Sequence, residues 1–184
     1  MKELSLNILD IAKNSTVAGA TRVIITLELS PSGMLTLSIA DNGCGMSEET
    51  LRGVTDPFYT TRKTRKVGMG LPLLKMAAEQ TGGYLRITSS TREGESGTEL
   101  CAVFDTNSID CMPLGDIIST LCILIAGDPD IDFVFKDIRP EGEVALDTAE
   151  LRAVLGDGIS LAELEIQQWI KEYLQEQYLI FEHN

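Results

Sequence analysis

Two pairs of strand-like segments, each joined by a short turn, most constrain the fold of this chain. Residues 23–29 and 34–40 alternate or run apolar, and Ser30-Pro31-Ser32-Gly33 between them has turn chemistry. A second pair follows at residues 84–89 and 98–104. The pattern predicts two hairpins, and therefore a mostly antiparallel sheet.

Helical segments precede each strand pair. Apolar residues recur at helical spacing over residues 3–18 and 71–80, and Gly82-Gly83 marks the end of the second helix. A short helix capped by Ser47 is expected between the hairpins. The order predicts an α+β fold, a two-layer α/β sandwich with helices on one face of the sheet.

The charge of the chain is unevenly placed along its 184 residues. Residues 1–107 carry 11 basic and 12 acidic side chains, whereas residues 108–184 carry 4 basic and 16 acidic side chains. Such asymmetry predicts two units with different surfaces, the second a small acidic α+β domain. The net charge of −13 argues against nucleic acid as a partner.

Other features predict a cytoplasmic protein. No apolar run approaches the roughly 20 residues of a membrane span, and the start lacks the pattern of a secretory signal. The four cysteines form no C-x-x-C pair, so reduced thiols are expected. Oligomeric state is left open by the sequence.

Polar side chains on the first helix form the first candidate site. Asp10 and Asn14 are four residues apart and share one helix face, with Asn7 a turn earlier. Their oxygens can hold a hydrated Mg²⁺ or orient a water. A solvated polar face is the alternative interpretation.

A glycine-bearing turn, Asp41 to Met46, follows the second strand. Its glycines allow a ligand to approach the backbone, and a carboxylate at a strand end can accept the exocyclic amine of adenine. An ordinary turn is the alternative, because D-N-G is common turn chemistry.

A long segment without periodicity, residues 54–69, predicts a functional loop. It carries four basic residues between Arg62 and Lys66, and Gly68 and Gly70 lie at the start of the next helix. Helix N-termini with approachable amides bind phosphate, so an anionic ligand is favoured over a solvated charge run.

These motifs, in this order, resemble the GHKL ATPases, which include gyrase, the heat-shock chaperone, histidine kinases and MutL. Asn14-Ser15 with Ala18-Gly19-Ala20-Thr21 resembles the asparagine box of MutL, and Asp41 to Met46 the first glycine box. Asp56 to Thr61 followed by Gly68-Met69-Gly70-Leu71 resembles the histidine-kinase phenylalanine and second glycine boxes. Gly97-Thr98 resembles the last box, so the resemblance covers about residues 3–105.

The resemblance implies the Bergerat fold, with ATP and Mg²⁺ beneath a lid at about residues 54–69. It implies that Asn14 binds Mg²⁺, that Asp41 binds the adenine amine, and that Thr98 assists Asp41 through a water. The remaining implied contacts involve the base pocket, the phosphates and the lid cations: Gly43, Gly45 and Met46 at the base, Gly68, Gly70 and Leu71 at the phosphates, and Arg62, Lys63 and Lys66 in the lid.

Two departures from the family pattern leave three functions open. Hydrolytic members place Glu where this chain has Asp10, a shorter carboxylate that can still orient water. The single histidine, His183, and the lack of a preceding phosphoacceptor segment argue against a complete histidine kinase. An ATPase with Asp10 as its catalytic residue is favoured, with a serine kinase resembling the anti-sigma kinases or a nonhydrolytic ATP sensor as alternatives.

The acidic C-terminal part predicts a regulatory or partner-binding unit. The stretch from Pro113 through Val134 resembles stand-alone ATP-binding proteins encoded beside iron-only hydrogenases, which suggests regulation or assembly near redox enzymes. Asp128, Asp130 and Asp132 predict a solvated loop, because they lack EF-hand spacing. The last helix is expected to present one core face: Leu161, Leu164, Ile166, Trp169, Ile170, Tyr173 and Leu174.

Overall fold

The computed structural model describes residues 3–55, 70–156 and 158–181. Its elements are α1 (Leu4–Val17), β1 (Arg22–Leu29), β2 (Met34–Asp41), α2 (Glu48–Gly53), α3 (Gly70–Gln80), β3 (Tyr84–Ser90), β4 (Gly97–Asp105), α4 (Ile117–Gly127), β5 (Asp132–Arg139), β6 (Gly142–Asp147), α5 (Thr148–Leu155), α6 (Leu164–Tyr178) and a 3₁₀ turn, Leu179–Phe181. The predicted α+β class is confirmed.

All six strands belong to one sheet, in the order β3-β4-β2-β1-β5-β6. Neighbours are antiparallel except β1 and β5, which run parallel. The strands of the C-terminal part therefore extend the sheet that the first two hairpins form. The division into residues 1–107 and 108–184 stays a prediction, to which the structure adds this shared sheet.

The core lies between this sheet and the helices. Val23, Ile25 and Leu27 of β1 are fully buried and alternate with more exposed residues. From α1, Leu4 and Ile8 are equally buried, and α1 contacts both α3 and α4. Because its apolar face is buried, α1 holds its polar face in a fixed position.

The sequence predicts helices over about residues 114–126 and 161–177, and both begin three residues later in the structure. At α4, the Asp116 side chain accepts a hydrogen bond from the backbone N–H of Ser119 and caps the helix, so the helix starts at Ile117. Hydrogen bonds from Ser119 also lower the pKa of Asp116. At α6, Leu161 is buried before the helix starts at Leu164.

The expectation of a single core face on the last helix was wrong. Ile170 and Leu174 are fully buried, but Leu164 is 85% exposed, Trp169 47% and Tyr173 38%. The two aromatic rings stack on each other, with centroids 4.9 Å apart. Helical spacing identified apolar side chains but did not show that α6 leaves part of them uncovered.

The expectation of a solvated acidic loop after α4 was also wrong for two of its three residues. Asp128 pairs with Lys13 of α1 at 2.7 Å, and Asp132 pairs with Arg152 of α5. These ion pairs fix the segment between α4 and β5 at both ends.

Candidate functional site

The polar face of α1 supplies the first part of the candidate site. Asp10 and Asn14 are both exposed one turn apart, as their spacing predicts. The start of α1 is held by the C-terminal part, because the N–H groups of Leu4 and Ser5 donate to the carbonyls of Pro113 and Leu114 at 2.9 and 2.8 Å. The two polar side chains therefore project from an anchored helix.

The first residue of α3 lies directly against Asp10. Gly70 is buried, and a Cβ built at this glycine would overlap the Asp10 Oδ2 atom. No other residue type fits here without moving the carboxylate. The structure thus brings Asp10 and the start of α3 together, where backbone N–H groups not bonded within the helix can bind an anion.

Asp41, at the end of β2, is held by two hydrogen bonds. The buried Ser15 Oγ donates to Asp41 Oδ2 at 2.6 Å, and the backbone N–H of Gly43 donates to Oδ1 at 2.9 Å. Each carboxylate oxygen has two lone pairs, so the group retains acceptor capacity. Sequence reasoning missed the role of Ser15; its position directly after Asn14, on the inward side of α1, was the available signal.

Close neighbours leave little room for a side chain at either glycine of the Asp41 turn. Gly45 has a φ of +69°, and a Cβ there would overlap the backbone carbonyl of Ser90. At Gly43, a Cβ would lie 3.0 Å from the Ala18 carbonyl oxygen and 3.1 Å from Asp41 Oδ1. Both positions therefore have a structural reason, and their role in shaping a base pocket stays a prediction.

A hydroxyl on β3 connects Met46 with Thr98. Ser89 Oγ accepts from the Met46 N–H, donates to the Gly97 carbonyl and contacts Thr98 Oγ1, all at 2.8 Å. Because the single Ser89 proton serves Gly97, Thr98 donates to Ser89 and keeps its own lone pairs for another donor. Thr98 lies opposite Asp41 in the β2–β4 register. Nothing in the sequence singled out Ser89.

A cation next to the polar face of α1 is already neutralised. Lys13 precedes Asn14, and its Nζ lies 2.7 Å from Asp128 Oδ2. The expected lid cations Arg62, Lys63 and Lys66, and Gly68 of the second glycine box, lie outside the described residues. Leu71 follows Gly70 in α3 and is partly buried.

The side-chain oxygens of the described residues fit a Mg²⁺ ion only if waters and substrate phosphates supply its other ligands. Within residues 3–55, 70–156 and 158–181, no group of three His, Cys, Asp or Glu side chains could hold a metal ion. Mg²⁺ commonly takes one or two protein oxygens and completes its shell with waters and substrate phosphates. The exposed oxygens of Asp10 and Asn14 fit that pattern.

No helix in the described part of the chain combines the length and the apolar character that crossing a membrane requires. All four cysteines are unpaired.

Comparison with known proteins identifies relatives for the first part of the chain. Residues 1–108 match the family model described as histidine kinase-, DNA gyrase B- and HSP90-like ATPase. Sporulation kinase E of Bacillus subtilis is 30% identical over 94 residues, which is 51% of this chain and 12% of that kinase. Mismatch repair endonuclease PMS2 of Homo sapiens is 29% identical over 108 residues, 59% of this chain and 11% of that protein.

A solved structure supports the same fold over most of the chain. The Aquifex aeolicus MutL ATPase domain complexed with ADP has a TM-score of 0.53 and 12% identity, and the match covers 95% of this chain and 70% of that one. At this identity the likeness concerns the fold alone. The chain spans only small fractions of its sequence relatives, 12% and 11% of the two above.

Proposed function

The chain belongs to the family of histidine kinase-, DNA gyrase B- and HSP90-like ATPases, and on this premise we propose that it hydrolyses ATP with Mg²⁺ and acts on a protein partner. ATP binding is the function that the family supports. The observation that carries the finer proposal is the contact between Gly70 and Asp10, which joins a carboxylate to a helix N-terminus.

We assign the recognition of the adenine amine to the Asp41 carboxylate, as the acceptor of its hydrogen bond. Its carboxylate is oriented by Ser15 and by the Gly43 N–H, and it keeps acceptor capacity for an N–H donor. A water between Asp41 and Thr98 can donate one proton to each, because Thr98 already uses its own proton on Ser89. A hydrogen bond from an amine to this charged acceptor contributes about 1.5–3 kcal/mol.

The phosphates are assigned to the start of α3. The first N–H groups of a helix have no partner within it, and we assign the phosphate oxygens to those of Gly70 and Leu71, the first two described residues of α3. Mg²⁺ bound at Asn14 would neutralise charge on the phosphates. The predicted lid cations Arg62, Lys63 and Lys66 are proposed to add further positive charge.

Asp10 is proposed to orient the attacking water. Its carboxylate accepts a proton from that water while the oxygen attacks the terminal phosphorus, and the bond to the bridging oxygen of ADP breaks. The products are ADP and inorganic phosphate. Because Asp10 is exposed, a partner hydroxyl in place of water would turn the same geometry to kinase chemistry.

Regulation is assigned to the acidic C-terminal part. This part contacts the site helix directly, through the Lys13–Asp128 ion pair and the backbone bonds to Leu4 and Ser5. A partner bound there would act on the helix that carries Asp10 and Asn14. Location in the cytoplasm and the hydrogenase association remain part of this proposal.

Single-turnover hydrolysis of Mg-ATP tests the proposal, comparing the natural chain with Asp10→Asn. We expect the variant to bind ATP with little change and to release phosphate about 10²–10⁴-fold more slowly. Asp110→Asn, an exposed residue far along the chain, is the matched control and should keep full activity. If the natural chain binds ATP without releasing phosphate, the result would favour a nonhydrolytic sensor, or a kinase tested without its protein substrate. Equal rates of phosphate release in the natural chain and in Asp10→Asn would show that Asp10 takes no part in the reaction.

A further inference from the structure

In the described part of the chain, an open groove lies at the β5–β6 end of the sheet. Its volume is about 960 Å³, and its apolar lining comes from β5, β6, α5 and α6. The stacked Trp169 and Tyr173 form one wall, and Val154 of α5, 83% exposed, lies on the other side.

These side chains are of the type that carries binding energy at interfaces. Tryptophan and tyrosine supply large apolar area at low conformational cost and dominate interface hot spots. Isolated exposed apolar residues need no explanation, but a concave patch built from two helices and two strands does. The groove is of a size that holds a ligand or a short helix.

The charges on the rim indicate the occupant. Arg22 pairs with Asp147 at 3.6 Å and Lys136 pairs with Glu143 at 3.8 Å, so these four charges are balanced within the chain. Two further rim residues, Glu150 and Glu165, make no ion pair within the described residues. The unbalanced charge of the groove is therefore negative.

The same charge argues against a second copy of this chain as the occupant. Residues 108–184 carry a net charge of −12. A symmetric dimer would place one acidic rim against its equal, and like charges across an interface disfavour association. A partner with positive charge beside its apolar side chains has no such cost.

We propose that this groove binds a short, basic amphipathic helix of a partner protein. Its apolar side chains pack on Trp169, Tyr173 and Val154, and Lys or Arg side chains lie beside Glu150 and Glu165. This inference rests on the proposed partner-binding role of the C-terminal part and gives that role a location and a chemistry.

The test uses the full chain and a synthetic amphipathic peptide of Leu and Lys, with a Leu/Glu peptide of the same pattern as its control. Binding is measured by anisotropy of the labelled peptide and by emission of Trp169, the single tryptophan. We expect the Leu/Lys peptide to bind at least about tenfold more tightly than the Leu/Glu peptide. Trp169 emission should shift to shorter wavelength, because its half-exposed ring becomes covered.

Matched variants separate the groove from general attraction to an acidic protein. The pair Glu150→Gln and Glu165→Gln should weaken binding about tenfold, whereas Glu93→Gln with Glu95→Gln, an equal charge change on an exposed turn, should not. Val154→Ser should also weaken peptide binding, whereas Ile109→Ser, at a 99% exposed position outside the groove, is the control and should not. All these residues are exposed, so the variants should fold.

Several outcomes would overturn the proposal: equal binding of both peptides, equal effects of the two glutamate pairs, no greater effect of Val154→Ser than of Ile109→Ser, or a natural dimer that Val154→Ser abolishes. ATP binding is measured in the same samples. Absent ATP binding would contradict the nucleotide proposal and leave the peptide result standing, whereas lost peptide binding with ATP binding intact concerns the groove alone.

Discussion

Asp41 and Asp137 lie on the same face of one sheet, and their carboxylates are satisfied in different ways. In the strand register Asp41 pairs with Val23 and Asp137 with Leu27, both buried core residues of β1. Asp137 is 1% exposed and accepts two N–H groups of Arg139, at 3.0 and 2.8 Å, and the hydroxyl of Tyr178 at 2.9 Å.

Asp41, by contrast, is partly buried and bound by one hydroxyl and one backbone N–H, with no cation beside it in the described part of the chain. A neutralised carboxylate fixes structure, whereas one with open lone pairs can accept a ligand. The comparison gives Asp137 a structural role and supports the proposal that Asp41 binds a ligand. The substitutions below at Asp137, Ser15, Tyr178 and Asp41 test that difference, and Gly70→Ala tests the neighbouring contact with Asp10.

The largest expected change in stability comes from Asp137→Ala. Removing this carboxylate leaves the Arg139 guanidinium partly buried without its partner, which should lower the free energy of unfolding by about 3 kcal/mol. Urea unfolding measures the loss, with Asp41→Ala as the comparison. An Asp137→Ala variant no less stable than Asp41→Ala would contradict the structural role of this network.

Gly70→Ala is expected to destabilise the chain through Asp10. The added Cβ overlaps Oδ2 of the Asp10 carboxylate, which is the exposed end of a side chain that can rotate away, so the cost should be only about 1 kcal/mol. A double-mutant cycle with Asp10→Ala provides the control, because the shorter side chain removes the clash. Additive effects of the two substitutions on unfolding would mean that the residues do not touch.

Ser15→Ala should weaken ATP binding about five- to tenfold. The substitution removes the hydroxyl that orients Asp41 Oδ2, a bond worth about 1 kcal/mol. Thr16→Ala is the matched control, since among the described residues its hydroxyl bonds only the Lys13 carbonyl on the same helix. Calorimetric titration measures both, and equal affinities in the two variants would show that Ser15 does not position Asp41.

Tyr178→Phe should have the smallest effect, and one that depends on pH. Burial, and then the charge of Asp137, raise the pKa of the Tyr178 hydroxyl above its ordinary value of about 10. The unfolded chain therefore ionises first, so this contribution to stability is present below about pH 10 and is lost as pH rises further.

We expect Tyr178→Phe to cost about 1 kcal/mol at neutral pH, with the gap to the natural chain narrowing above about pH 10. Urea unfolding at neutral pH and above about pH 10 measures this difference in the free energy of unfolding. Tyr84→Phe, at a 53% exposed position, is the control. A gap that stays constant with pH would contradict the raised pKa.

Local signals predicted most of the elements. Alternation and turn chemistry located the four strands of the first two hairpins, and Ser47 caps α2 as expected, with its side chain accepting from the Thr50 N–H. Helical periodicity alone also predicted that Asp10 and Asn14 share one face of α1. These features depend on neighbours within a few residues.

Contacts between distant segments could not be predicted. The parallel pairing of β5 with β1 joins segments about a hundred residues apart, and no local pattern encodes it. Ser89 and Ser15 acquire their roles only when strands and helix meet. The same holds for Gln177, whose side chain bonds the backbone of Ala145 on the edge strand β6. Its Oε1 accepts from the Ala145 N–H and its Nε2 donates to the Ala145 carbonyl, each at 3.0 Å.

Titration of ATP into the natural chain and into Asp41→Asn, followed by calorimetry, tests the proposed adenine site most directly. The amide keeps the size of the carboxylate but replaces its charged acceptor, so we expect at least about tenfold weaker binding. Folding should be unaffected, because the Gly43 N–H can still donate to the amide oxygen, and the Ser15 hydroxyl can accept a hydrogen bond from the amide NH₂ in place of donating one. Unchanged ATP affinity in Asp41→Asn would contradict the assignment of the adenine site.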